Sequence, residues 1–147
     1  MVVGVNRAAT LHACDVWAAT DRPLVQRVKP LGTPVLLTIE ATRESLERRG
    51  EAWPYLVVTH CGIAGGAVTN TKHPWTRYSA TAALYYLHWA GATHVDVWGA
   101  DWSGEEDWDG KQAGENRSGL RWEEERTIWH RVINDTGIEV VRHGLDG

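Results

Sequence analysis

At 147 residues the chain is long enough for one domain with a sizeable core, and its 43% hydrophobic and 23% charged residues are ordinary for a soluble globular protein. A net charge of -4 gives no electrostatic footing for binding nucleic acid or a membrane surface. Cys14 and Cys61 share no CxxC or CxxH spacing, which argues against zinc, and no apolar run approaches the ~18 residues of a spanning helix.

The first segment, Met1 to Val5, is a short apolar strand, so the N-terminus reads as structure rather than as a leader, and a cytoplasmic protein is expected. A brief helix over Arg7 to His12 leads to a second strand, Cys14 to Thr20. That strand stops at Asp21-Arg22-Pro23, where the proline opens another helical piece. Pro34 to Ile39 is apolar on both faces, as a buried parallel strand requires, and ATRESLERRG after it is a short charged helix closed by Gly50. Pro54 to His60 is a fourth strand, and Cys61 to Trp75 is rich in Gly, Thr and Asn with a turn at GIAGG.

Ser79 to Gly91 is an A-rich helix whose apolar residues run well round the cylinder, which predicts burial and makes His88 a core histidine. A strand from His94 to Trp98 follows and breaks at Gly99-Ala100-Asp101. Trp102 to Gly119 has no periodicity and four glycines, which reads as a mobile lid. Leu120 to Asp135 is an amphipathic helix with Trp122, Trp129, Val132 and Ile133 on one stripe, and Ile138 to Arg142 is the last strand. Alternating strand and helix predicts a single α/β domain over residues 1–147, Rossmann-like and three-layered, with a mostly parallel sheet of about six strands.

Ligands in such sheets gather beyond the carboxyl ends of the strands, and three of these ends carry polar residues: Asn6-Arg7, Asp21-Arg22 and Gly99 with Asp101. Gly4 would let a ligand approach the first turn, Arg7 and Arg22 suit a phosphate, and Asp21 suits a ribose hydroxyl. Among the histidines, His60 ends a strand and His73 precedes the long helix, but neither has a partner at metal-ligand spacing, so no metal site is assigned to them. Glu105, Asp107, Asp109 and Gly110 open like a calcium loop, yet the twelfth position is Asn116 where a bidentate carboxylate is needed. Asp107-Trp108-Asp109 is a DxD pair that suits magnesium against a diphosphate. Nine Trp with no Phe places several indoles at a wet boundary, where their N–H groups find partners.

The block from Lys72 to Asp101, with its small-residue helix opening Ser79-Ala80, Gly91 and the ending Gly99-Ala100-Asp101, resembles the central block of small bacterial sialyltransferases. Their relatives include pterin pyrophosphokinase-like proteins and uncharacterised phage proteins. Gly4 and Asn6 match the family's first turn, and Asp21 falls where the transferases place a ligand-binding residue. The resemblance implies a nucleotide or nucleotide-sugar bound at Gly4, Asn6, Arg7, Asp21, Arg22, Ser79 and Gly99. It also leaves a gap, because no histidine lies between Asp101 and His130 where the family carries its catalytic one. Asp101, Glu123 and Glu124 remain as bases, with Arg117 and Arg121 as phosphate clamps, so the catalytic set is Asp101, Arg121 and Glu124. The expected function is a small glycosyltransferase-like enzyme. Its alternatives are a non-catalytic nucleotide-binding module and a magnesium-dependent diphosphate transferase or hydrolase.

Overall fold

The computed structural model describes residues 1–51, 53–59, 62–64, 78–99 and 119–144, and of 55–59, 62–64 and 119–121 the backbone alone. The chain divides into two compact units, Met1–Gly91 and Ala92–Gly147. In the first, strands β1 (Val3–Val5), β2 (Val16–Ala18), β3 (Val35–Thr38) and β4 (Tyr55–Thr59) pair in parallel in sequential order. Strand β5 (Gly62–Ala64) adds antiparallel to β4. A 3-10 helix (Asn6–Thr10), α1 (Arg22–Arg27) and α2 (Glu40–Arg48) make the three crossovers, and α3 (Ser79–Trp89) follows β5. In the second unit β6 (His94–Trp98), α4 (Gly119–Thr136) and β7 (Glu139–His143) form a β-α-β unit whose two strands pair in parallel.

The apolar residues of the first sheet sort by alternation. Trp17, Ala19 and Leu36 cluster with Ala9 of the 3-10 helix, Val25 of α1 and Leu46 of α2, so all three crossovers cover one face. Sequential strand order with right-handed crossovers requires this one-sided arrangement. Val16, Ala18 and Leu37 point the other way, and α3 contacts β1, β2 and β3. Trp17 is fully buried, lies 5.5 Å from the Trp53 ring, and donates its indole N–H to the Asn6 carbonyl at 2.8 Å. Burying a side chain of this size contributes roughly 2–3 kcal/mol, and the hydrogen bond removes the penalty of an unmatched N–H.

The expected single sheet of about six mostly parallel strands in one three-layer domain does not form. Among the described residues two sheets form instead, of five and two strands. Two features account for this. Strand β5 occupies the open edge of β4 in the antiparallel sense. Strand β6 is one-sided, because His94, Asp96 and Trp98 alternate outward and are exposed, whereas a strand inserted in a helix-covered parallel sheet is apolar on both faces. Among the described residues it pairs with β7 alone. The sequential order of β1 to β5 also contains no reversal, so no crevice opens at a topological switch point.

The helices follow their sequence patterns closely. Helix α4 spans Gly119–Thr136, buries Ile128, Trp129 and Val132, and half-buries Trp122 and Ile133; Gly137 closes it with φ at +68°. Helix α3 is buried at Ser79 and from Thr81 to Tyr86, but its end at His88 and Trp89 is exposed, so His88 is not the core histidine expected. The proposed lid lies outside the described residues up to Ser118, and its final residue, Gly119, begins α4. No helix among the described residues is long and apolar enough to cross a membrane.

Gly4 is a packing position. A Cβ there would meet the Cys14 sulfur at 3.0 Å, the Ala9 Cβ at 3.1 Å and the Ala9 backbone at 3.2 Å. Gly4→Ala is expected to destabilise the protein by about 1–3 kcal/mol, read as a lowered midpoint in urea unfolding with the slope unchanged.

Candidate functional site

Parallel pairing of β1 to β4 brings their carboxyl ends to one edge of the first sheet. Val5 pairs with Ala18 and Ala18 with Leu37, so the next residues, Asn6, Ala19 and Thr38, form one row across that edge. Asn6 turns the chain out of β1 with φ at +50°, a left-handed conformation that Asn tolerates better than most residues. Its Oδ1 is buried without a hydrogen-bond partner, and so is the hydroxyl of Thr38. Buried polar atoms are nearly always paired, so two orphans in one row mark the edge.

The rest of the edge is polar and buried. Among the described residues nine polar or charged side chains are buried, and all but Glu125 belong to Thr20, to the segment Thr38 to Ser45, or to Ser79 and Thr81. Those positions are the ends of β2 and β3, the first two turns of α2 and the first turn of α3. Ser79 accepts the backbone N–H of Thr20 at 3.0 Å, and the two hydroxyls share a further bond at 3.1 Å. Thr42 donates to the Thr20 carbonyl at 2.8 Å, tying α2 to the end of β2. Thr81 donates to the Tyr78 carbonyl. The first turn of α3 has no acidic residue and no side-chain cap, which leaves the positive end of its dipole uncompensated by its own residues.

Arg43 is buried against Glu40, both of whose oxygens take hydrogen bonds from the guanidinium, and it reaches Glu47 at 2.6 Å. These bonds, above all those with Glu40, hold Arg43 more firmly in its charged form than usual, against the pull of burial. The Glu40–Arg43 pair, at i and i+3 with Glu47 four residues beyond Arg43, closes the β3 end of the edge in a segment whose charge alone suggests a solvated helix. An open hollow lined by Glu44, Glu47 and Arg48 lies on the solvent side of α2; its walls carry charged, exposed groups and neither orphaned atom.

Of the residues expected at the site, Asn6, Arg7, Asp21 and Arg22 lie just beyond the ends of β1 and β2, with Asn6 and Arg7 half-buried and Asp21 and Arg22 exposed. Asp21 occupies the cap position of α1 without a side-chain capping bond. Ser79 meets this edge through Thr20. Gly99 ends β6 in the second unit, and Glu124 is an exposed residue of α4 there. The side chain of Arg121 lies outside the described residues, as do Asp101, Arg117, His60, His73, Asp107 and Asp109. Thr20, Thr38, Glu40, Thr42 and Arg43 were not singled out by sequence. The available signals were a Thr at the end of each of two apolar strands and the Glu-Arg-Glu spacing after the second.

Comparison of the chain with protein-family models, with curated proteins and with solved structures gives no match.

Ser79→Ala leaves the buried N–H of Thr20 without its acceptor. It is expected to cost about 1–3 kcal/mol in unfolding free energy, and Ser79→Thr, which keeps the hydroxyl, less.

Proposed function

We propose that the Met1–Gly91 unit binds a nucleotide or nucleotide-sugar along the carboxyl ends of β1, β2 and β3. The observation that carries this reading is the pair of buried, unpartnered oxygens of Asn6 and Thr38 in one row of the sheet. A protein oxygen left unpaired in its interior is costly unless a ligand supplies a donor, and ribose hydroxyls and base amino groups are such donors. Asp21 supplies a carboxylate for a ribose hydroxyl, and Arg22 supplies positive charge for a phosphate from the first residue of α1. The resemblance of Lys72 to Asp101 to small sialyltransferases supports a sugar nucleotide as the donor class, with glycosyl transfer as the reaction.

A second reading, binding without turnover, is favoured by Glu40. This carboxylate stands at the edge with both oxygens engaged by Arg43, an arrangement suited to holding structure rather than to taking a proton from an acceptor hydroxyl.

A thermal-shift panel of nucleotides and nucleotide-sugars, with and without magnesium, tests the binding. A ligand at 100 times its Kd adds about 2.7 kcal/mol to the folded state. Thr38→Val is the diagnostic variant. Without ligand it is expected to be as stable as the wild type or more so, because an orphaned hydroxyl is removed, while ligand affinity falls about tenfold. A Thr38→Val protein that binds as well as wild type removes Thr38 from the site, and a panel without any shift rejects the reading. Donor turnover by the wild type then separates enzyme from binding module.

A further inference from the structure

The second unit carries a cluster of titratable groups that the proposed function does not use. On one face of the β6–β7 pair stand His94, Asp96 and Trp98, with Glu139, Val141 and His143 beside them in register. Asp96 sits between two imidazoles: His143 Nε2 lies 2.7 Å from its Oδ1, and His94 Nε2 lies 3.2 Å from its Oδ2. The other ring nitrogen of His94, Nδ1, lies 3.4 Å from Glu139 Oε2 across the strand pair. Trp98, 69% exposed, stacks on the His143 ring at 4.6 Å and 18°. Among the described residues the charged groups facing Asp96 are therefore His94 from its own strand and His143 and Glu139 from β7. Arg142 pairs in register with Val97 and stands on the reverse face.

The decisive feature is that His94 addresses a carboxylate with each of its two nitrogens. A neutral imidazole carries one N–H and serves one carboxylate; the imidazolium carries two and serves both. We propose that His94, with Asp96, His143 and Glu139, is a proton-operated clasp across β6 and β7, closed when His94 is protonated and opened when it is not. A two-stranded parallel pair has little stability of its own, so cross-strand side-chain pairs weigh heavily in whether it holds. Loss of the proton leaves one of the two carboxylates, Asp96 or Glu139, without its donor from His94 and sets a neutral ring beside both.

The direction of the titrations agrees with this geometry. The bond to Glu139, with Asp96 adding to it, raises His94 above its ordinary 6.5. The bond from His143, followed by that from His94, lowers Asp96 below 3.8. A raised His contributes fully below 6.5 and loses its contribution as pH rises through its folded value. A lowered Asp contributes above 3.8 and loses its contribution as pH falls through its folded value. The clasp is thus closed in mildly acidic solution and opens as pH rises beyond 6.5.

The test uses the full chain. Ring-proton NMR follows the His94 titration, and amide exchange of Val95, Val97, Val140 and Val141, corrected for intrinsic rate, is compared at about pH 6 and about pH 8.5. Exchange in wild type is expected to quicken roughly threefold at the higher pH, and the step is expected to shrink in ~1 M salt because the groups are exposed. His94→Gln is expected to exchange at the fast rate at both pH values. His94→Arg, which keeps a charge able to reach both carboxylates, is expected to remain slow at both. A His94 ring that titrates at or below 6.5, or a step that persists in His94→Gln and His94→Arg alike, overturns the proposal.

Discussion

The hydrogen bond from the Thr20 N–H to the Ser79 hydroxyl joins two parts of the first unit that sequence places 59 residues apart. Thr20 is where β2 has run out of neighbouring strand to bond, and Ser79 is where α3 has a side chain to offer before its own ladder begins. Each supplies what the other's geometry leaves unmet. Thr42 then takes the Thr20 carbonyl, so both backbone groups of one strand-end residue are held by side chains from two helices. That double anchorage fixes the first turns of α2 and α3 at the carboxyl edge and makes the edge a built surface. The buried Glu40–Arg43 pair extends it under the end of β3.

Such an edge carries a cost. Buried hydroxyls and a buried ion pair are at best neutral for stability against well-packed apolar residues of the same size. In the crossover face below, the same sheet is filled by Trp17, Ala19, Leu36 and Leu46 with no such concession. Polarity at one end of an otherwise apolar sheet, together with orphaned oxygens at Asn6 and Thr38, is the feature on which the proposed ligand site rests.

Much of the local structure was legible. Apolar runs located β1 to β4, β6 and β7 within a few residues, and the helical period placed α4 with Trp129 and Val132 on its buried stripe. Asn6 and Asp21 were readable because a polar residue directly after an apolar run marks a strand end. What failed was pairing, which is a long-range property: nothing within HVDVW says that it pairs with EVVRH. Its alternating exposure did hold the hint, since outward His94 and Asp96 do not suit a strand covered on both faces. Strand β5 was hidden in a three-residue segment, too short for any period to show. The burial of Glu40 and Arg43 escaped because charge predicts solvent by default, and only the i, i+3 pairing makes burial tolerable.

The sequential strand order has a consequence for the order of synthesis. Strands β2 and β3 each pair with the one made just before, so this part of the sheet can form as it emerges. The crossover pieces that cover one face emerge with it. The helix that lies over β1, β2 and β3 on the other side, α3, ends about 50 residues after β3. At ~5–20 residues per second the face formed by Val16, Ala18 and Leu37 waits roughly 3–10 s for its cover. Hydrophobic collapse takes ~10–100 μs in a chain of this size, so the nascent protein spends that interval as a half-clad sheet. The wait is long enough for a chaperone, or a second nascent chain, to find the bare face before α3 does.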